Sequence, residues 1–280
     1  MKEGDYFMKR RDRIINIVKN VLLAIYSLFA LFPLFWMILI SFKSDAQMFN
    51  TTFFFTPTLE NYEAVLVRTH YFRYFKDSLI VSTLAVAVSL LAGVPAAYAL
   101  ANYDFKKKEN LAFTILSFRF APEILVVLPL FMIYQKIGLY DTYTGLIWVS
   151  QLITMPLIIW VLRGYFEDIP IEIEHAAQID GYTWWQVFLK KLLPLIKPGL
   201  VSASLLAFIF AWNNFTFPLM LSGTNVETVT VASLKYLASD TVHYGQMAVA
   251  AAFSSLPAVI FALIIQKHLV RGLSFGAVKG

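Results

Sequence analysis

The chain is 280 residues long, 59% hydrophobic and only 15% charged, with a mean hydropathy of +0.65. So little charge cannot cover the surface of a soluble domain, which places the chain among membrane proteins. Zero cysteines exclude disulfides, and the net charge of +5 lies in loops rather than on a basic face, leaving no nucleic-acid footprint.

Apolar runs of roughly 20 residues, the length that crosses a hydrocarbon core, recur at about 18–41, 78–101, 111–134, 143–162, 199–222 and 247–265. They predict an all-α polytopic membrane fold of about six spans, with a membrane domain over 18–270. The first run follows a basic segment, 1–17. It exceeds a signal-peptide core and carries no small-residue cleavage site, so it reads as a retained span. Between the first two runs, residues 42–77 carry aromatics, Asn, Thr and mixed charge, enough for a small structured cap that meets an external partner or for a plain connector.

The third run holds Arg119 and Glu123 with Pro122 and Pro129. Charged groups at membrane depth are costly and face a cavity or a partner. Two readings stand: an i, i+4 pair that neutralises itself, or an arginine on a translocation path. Gln151 in the fourth run offers the same choice between helix bonding and a path.

The segment 163–198 is polar and set between apolar runs. Pro170 suits the first turn of a helix, with Asp168 as its expected cap. Glu172 and Glu174 favour that helix start, and Ala176 and Ala177 favour its body. Gly181 can supply the left-handed residue that ends it. Thr183 and Gln186 form a capping-box pattern for a second helix, which Pro194 and Pro198 limit. Such a loop is either an ordinary connector or a docking surface for something outside the membrane.

The fifth run is interrupted by Trp212-Asn213-Asn214-Phe215. Aromatic faces stack on sugar C–H surfaces and amides bond hydroxyls in both directions, which suits a carbohydrate path. Buried amides also bond neighbouring helices. Residues 223–246 form a second long outer segment, and a short tail, 271–280, follows the last run.

Lys2, Lys9, Arg10, Arg11, Arg13 and Lys19 lie before or at the first run, and Lys106, Lys107 and Lys108 follow the second. Arg163, Lys190, Lys191 and Lys197 lie in the 163–198 loop, and Lys267, Arg271 and Lys279 close the chain. Fewer cations, Lys43, Arg68, Arg73, Lys76, Lys136 and Lys235, fall on the opposite side. The positive-inside rule therefore predicts both termini in the cytoplasm.

Chemistry of its own is not expected from this chain. His70, His175, His243 and His268 show no metal-ligand spacing, and no metal or catalytic set is expected. No G-x-x-x-x-G-K-[ST] phosphate loop and no Ser-His-Asp arrangement is present. A polytopic membrane enzyme would need carboxylates or histidines that the sequence does not bring together. A scaffold without transport would lack the polar groups of the third and fifth runs.

The 163–198 loop resembles the cytoplasmic signature of binding-protein-dependent importer permeases of the ATP-binding-cassette class: E-A-A, three residues, Gly, nine residues, Ile-x-Leu-Pro. Here it falls on His175-Ala176-Ala177, Gly181 and Lys191-Leu192-Leu193-Pro194. His175 replaces the Glu and Lys191 the Ile, while Glu174 matches the extra acidic residue of the sugar-importer branch. Thr58-Leu59-Glu60-Asn61-Tyr62, Ala97-Tyr98-Ala99-Leu100, Trp160-Val161-Leu162-Arg163-Gly164, Ala211-Trp212-Asn213-Asn214-Phe215 and Gly276-Ala277-Val278-Lys279-Gly280 resemble that branch in the same order.

The resemblance implies a type I permease fold in the cytoplasmic membrane, moving a sugar or oligosaccharide by alternating access. It implies a cytoplasmic ATPase dimer that uses ATP and Mg, a second permease chain, an extracytoplasmic substrate-binding protein and surrounding lipid as partners, with no cofactor in this chain. It implies that the 163–198 loop couples to the ATPase through Ala176, Ala177, Gly181 and Pro194, with Glu174, His175 or Asp180 as the polar contact. Arg119, Gln151, Trp212, Asn213 and Asn214 are the candidates for the translocation path, and the tail reaching the ATPase is a further expectation.

Overall fold

A computed structural model describes the backbone of residues 2–237 and 242–275 and the side chains of residues 13–237 and 242–264. Among the described residues every regular element is helical. The helices used below are α1 (Lys2–Ser41), α2 (Tyr71–Asn102), α3 (Lys108–Ser117), α4 (Glu123–Ile137), α5 (Tyr143–Glu167), α6 (Ile171–Ile179), α7 (Trp184–Leu195), α8 (Lys197–Asn213), α9 (Thr216–Leu221) and α10 (Tyr244–Phe275). The chain forms two compact units. One takes residues 1–69 and 236–253, the other residues 70–235 and the chain from Ser254 onward.

In the larger unit, α2, α5 and α8 pack side by side. In lipid, apolar side chains gain nothing by leaving the bilayer, so close approach of backbones through small residues holds helices together. Ala85, Ser89, Gly93 and Ala97 form such a stripe along α2, buried at i, i+4 spacing. A Cβ on Gly93 would lie 3.0 Å from Ile158 of α5. Gly199, Ala203, Ala207 and Ala211 repeat the pattern on α8, where a Cβ on Gly199 would fall 2.6 Å from the Tyr165 ring. A polar clasp crosses the α2–α5 seam: the Ser89 hydroxyl lies 2.5 Å from Gln151 Oε1 and 2.6 Å from Thr154 Oγ1, and Gln151 Nε2 donates to the Ala85 carbonyl at 3.1 Å. A second apolar core, with Val81, Val127, Leu146, Val149, Phe217 and Leu221, joins α2, α4, α5 and α9.

Among the described residues four single helical stretches are long and apolar enough to cross a membrane: Arg13–Ser41, Tyr71–Asn102, Tyr143–Glu167 and Tyr244–Ile264. Two further stretches qualify only as bent pairs, Lys108–Phe120 with Glu123–Ile137 at 90° and Trp184–Leu195 with Lys197–Asn213 at 75°. The expected run 111–134 is therefore not one straight helix. Pro122 pushes Ala121 into extended backbone, ψ 127°, and the chain turns there. The run 199–222 also breaks, because Asn214 is extended at ψ 131° and α9 restarts beyond it. At the other end of α2 the helix begins at Tyr71, seven residues before the apolar run, inside the expected outer segment.

In the smaller unit, the end of α1 is tied down by Asn61, whose amide donates to the carbonyls of Ser41 at 3.0 Å and Lys43 at 2.8 Å. These carbonyls at the C-terminus of a helix have no partner within it. A Cβ on Gly245 would sit 2.6 Å from Asn61 Cγ, so only glycine admits that amide. Lys43 is fully buried, donates to the Asn50 carbonyl and lies over the rings of Trp36 and Phe55. The side chains of the basic residues before Arg13 and the tail residues 276–280 lie outside the described residues.

Candidate functional site

The 163–198 loop folds as α6, a tight turn and α7. Asp168 does not cap α6: its own N–H closes the end of α5 on the Gly164 carbonyl at 3.2 Å. Pro170, extended at ψ 129°, is the residue that precedes the helix. Gly181 sits at φ +84°, in the left-handed region that costs an L-residue about 1–2 kcal/mol. Around it the N–H groups of Gly181 and Tyr182 return to the carbonyls of Gln178 and Ala177, which ends α6 and reverses the chain. Gln186 Oε1 accepts the Thr183 N–H at 3.0 Å and starts α7. A π-turn over Phe188–Leu192 loosens the helix just before Pro194, which has no N–H to give.

The two faces of α6 differ sharply. Ala177 and Glu174 are buried, while Glu172, His175, Ala176 and Asp180 are exposed and Ile179 is 87% exposed. Glu174 therefore does not reach outward, as the sequence reading allowed. It turns in because its neighbours on the helix are flanked by a ring box that holds a donor for it: the Tyr98 hydroxyl of α2 lies 2.8 and 2.9 Å from its two oxygens, and Gln178 Nε2 donates at 3.3 Å. Phe166, Phe188, Trp184 and Tyr103 surround Tyr98 edge-on at centroid distances of 5.3 to 5.8 Å. Lys191, where the signature has Ile, lies 4.7 Å from the centre of the Tyr182 ring. Arg163, at the foot of α5, bridges Glu109 at 2.5 Å and Glu167 at 2.6 Å.

Deeper in the larger unit, the break between α3 and α4 meets the break between α8 and α9. Arg119 and Glu123 do not pair, because the chain turns between them. The Arg119 guanidinium lies 4.0 Å from the Phe210 ring centre and donates to the Ile153 carbonyl at 3.3 Å. Both Glu123 oxygens instead lie 3.1 Å from Asn214 Nδ2, whose Oδ1 accepts the Phe217 N–H at 3.3 Å. Asn213 is exposed, with its amide on the Ile209 carbonyl. Trp212 is buried and donates to the Ser254 carbonyl at 2.9 Å, and Gln151 is absorbed by the α2–α5 clasp. Of the five path candidates, Arg119, Asn213 and Asn214 gather at the paired breaks, and Trp212 and Gln151 serve helix contacts.

The segment after α9 is strapped down. The Asp141 carboxylate accepts the backbone N–H groups of Gly223 at 2.8 Å, Asn225 at 2.9 Å and Val226 at 3.0 Å. Arg73 donates to the carbonyls of Thr224 and Asn225, and Ser78 accepts the Val229 N–H at 2.7 Å. Burial works to lower the Lys235 pKa, but Glu227 at 2.6 Å and Tyr74 at 2.8 Å outweigh it and hold the ammonium above its usual range. Tyr98, Asp141 and Ile179 escaped the sequence reading as separate residues. An aspartate alone in a turn, as at Asp141, is the one local signal among them.

Among the described residues no cluster of His, Cys, Asp or Glu could hold a metal ion. Residues 89–275 match the family model described as binding-protein-dependent transport system inner membrane component. The chain is 35% identical to the trehalose transport system permease protein SugB of Mycobacterium tuberculosis over 90% of this chain and 93% of the relative. It is 34% identical to the trehalose/maltose transport system permease protein MalG of Thermococcus litoralis, over 96% and 97%. A solved bacterial ABC transporter chain involved in import of the acidic polysaccharide alginate superposes with a TM-score of 0.76 at 26% identity, covering 92% of this chain and 97% of that one.

Proposed function

We propose a mechanism from one premise: the chain belongs to the family of binding-protein-dependent transport system inner membrane components and is a multi-pass permease, not an enzyme. It carries a sugar or oligosaccharide inward by alternating access, with both termini and the 163–198 loop in the cytoplasm. The observation that carries this reading is α6, a short helix whose inner face is bonded to a span and whose outer face, with Ala176, His175, Asp180 and Ile179, is left exposed.

That face seats in a cleft of a cytoplasmic ATPase. Small Ala176 permits close approach, the Gly181 turn sets the angle of α7, and His175 or Asp180 supplies the polar contact. ATP and Mg act in the partner subunits, since this sequence has no phosphate loop of its own. Closure of the ATPase pair moves α6, and the spans follow as packed bodies between two arrangements. A second permease chain completes the path, and a substrate-binding protein delivers the cargo from outside. Arg119, Asn213 and Asn214, gathered where two spans break, line the route. Broken helices supply polar backbone at membrane depth only where a cavity or neighbouring protein satisfies it.

The test is purification of the chain from its native membrane in mild detergent, followed by mass spectrometry of what accompanies it at fixed stoichiometry. An ATPase and a second multi-span chain are expected. A folded chain that purifies alone overturns the reading. Uptake of labelled trehalose and maltose into vesicles of the purified complex, with acidic oligosaccharides as competitors, then defines the cargo.

A further inference from the structure

From the same structure we infer that the Tyr98–Glu174 pair is the joint through which motion of α6 reaches the membrane span α2; this rests on the coupling role of α6 proposed above. A carboxylate buried without a cation is costly, and an apolar side chain would anchor the helix more cheaply. Glu174 is 7% exposed, Tyr98 is 2% exposed, and among the described residues no ion pair reaches the carboxylate. Its partners are one hydroxyl and the Gln178 amide.

What this costly pair supplies is direction. An apolar contact slides, whereas a hydroxyl shared between two carboxylate oxygens at 2.8 and 2.9 Å resists both tilt and translation of α6 against α2. The ring box excludes water from the bond, so the bond is not exchanged for solvent when the helix is loaded. The box draws on every element that must move together: Tyr98 and Tyr103 at the end of α2, Phe166 at the foot of α5, and Trp184 and Phe188 in α7. Trp184 Nε1 is buried there too, a donor held beside the Tyr98 hydroxyl. Tyr98 and Glu174 are thus positioning residues: they touch neither cargo nor nucleotide and act by making α2 and α6 one body.

The chain has no cysteine, so an introduced pair of spin labels reports alone. Labels at Leu91→Cys, 79% exposed on α2, and at Ile173→Cys on α6 measure their separation in the full transporter, with and without Mg-ATP and vanadate. The joint predicts one narrow distance in both states. Tyr98→Phe and Glu174→Leu should each at least double the width of that distribution under Mg-ATP while the complex stays assembled. The double variant should be no worse than either single one, because both remove the same bond. Glu174→Gln keeps an acceptor for the hydroxyl and should stay close to the parent.

Unchanged widths in Tyr98→Phe and Glu174→Leu, additive effects in the double variant, or Glu174→Gln behaving like Glu174→Leu would each overturn the joint. Absence of any ATPase from the unlabelled parent complex would instead remove the coupling role. The isosteric Tyr98→Phe keeps the test open if Glu174→Leu does not fold.

Discussion

The 163–198 loop and the paired helix breaks are both polar interruptions in an apolar chain, yet they dispose of their polar groups in opposite ways. In the loop, one face of α6 is tied to the chain's own spans while the other, with Ile179 87% exposed, is left for something else. At the breaks, Arg119, Glu123 and Asn214 each find a partner on another helix, and only Asn213 stays exposed with a local bond. The difference follows from the solvent. Water tolerates an unfilled face, whereas lipid leaves no group unsatisfied without a cost of several kcal/mol. A membrane protein can therefore leave a face open to water, while polar groups at membrane depth must be held by one another.

Mutations that separate fold from transport sharpen this comparison. Asn214→Leu strips Glu123 of its amide donor and should give the largest loss, about 1–3 kcal/mol of stability together with uptake; thermal unfolding in detergent reads the first and vesicle uptake the second. Full stability with lost uptake would break the comparison, since the break would then hold nothing together. Ile179→Ser should leave unfolding unchanged and weaken ATPase retention by about 2 kcal/mol, the worth of one buried isoleucine, as measured by titrating the ATPase onto the membrane complex.

Gly181→Val places a branched residue in left-handed backbone, a strain of about 1–2 kcal/mol or roughly tenfold in the population of the bent loop. No neighbour lies within 4 Å of a Cβ there, so the effect is conformational and should appear as ATP hydrolysis without uptake. Equal loss of both activities would instead mean a misfolded loop. Asn213→Ala should change stability by less than about 0.5 kcal/mol, and its only expected signature is a raised KM for cargo. No change in KM would remove Asn213 from the path.

What the sequence made legible is local. The Gly181 turn, the Gln186 bond back to Thr183 and the helical class of every run depend on residues a few positions apart. What it hid is non-local. Glu174 turns inward because Tyr98 stands 76 positions earlier, and Glu123 leaves Arg119 because Asn214 stands 91 positions later. An i, i+4 spacing is a contact only if the helix is continuous, and Pro122 was the sign that it is not. Gln151 and Trp212 were misleading for a related reason. Polar and aromatic groups that suit a sugar also suit a neighbouring helix, and only the partner, Ser89 or the Ser254 carbonyl, separates the two.

The strap beyond α9 has a consequence for encounter rates. Asp141 holds the backbone amide groups of Gly223, Asn225 and Val226, and Arg73 holds the carbonyls of Thr224 and Asn225. Fixing a loop residue costs about 1–2 kcal/mol of backbone entropy, and here that loss is met when the chain folds rather than when a visitor arrives. A protein that lands on this surface meets a finished shape. Its capture would then be set by diffusion and orientation rather than by waiting for a loop to settle, which suits the delivery partner proposed above.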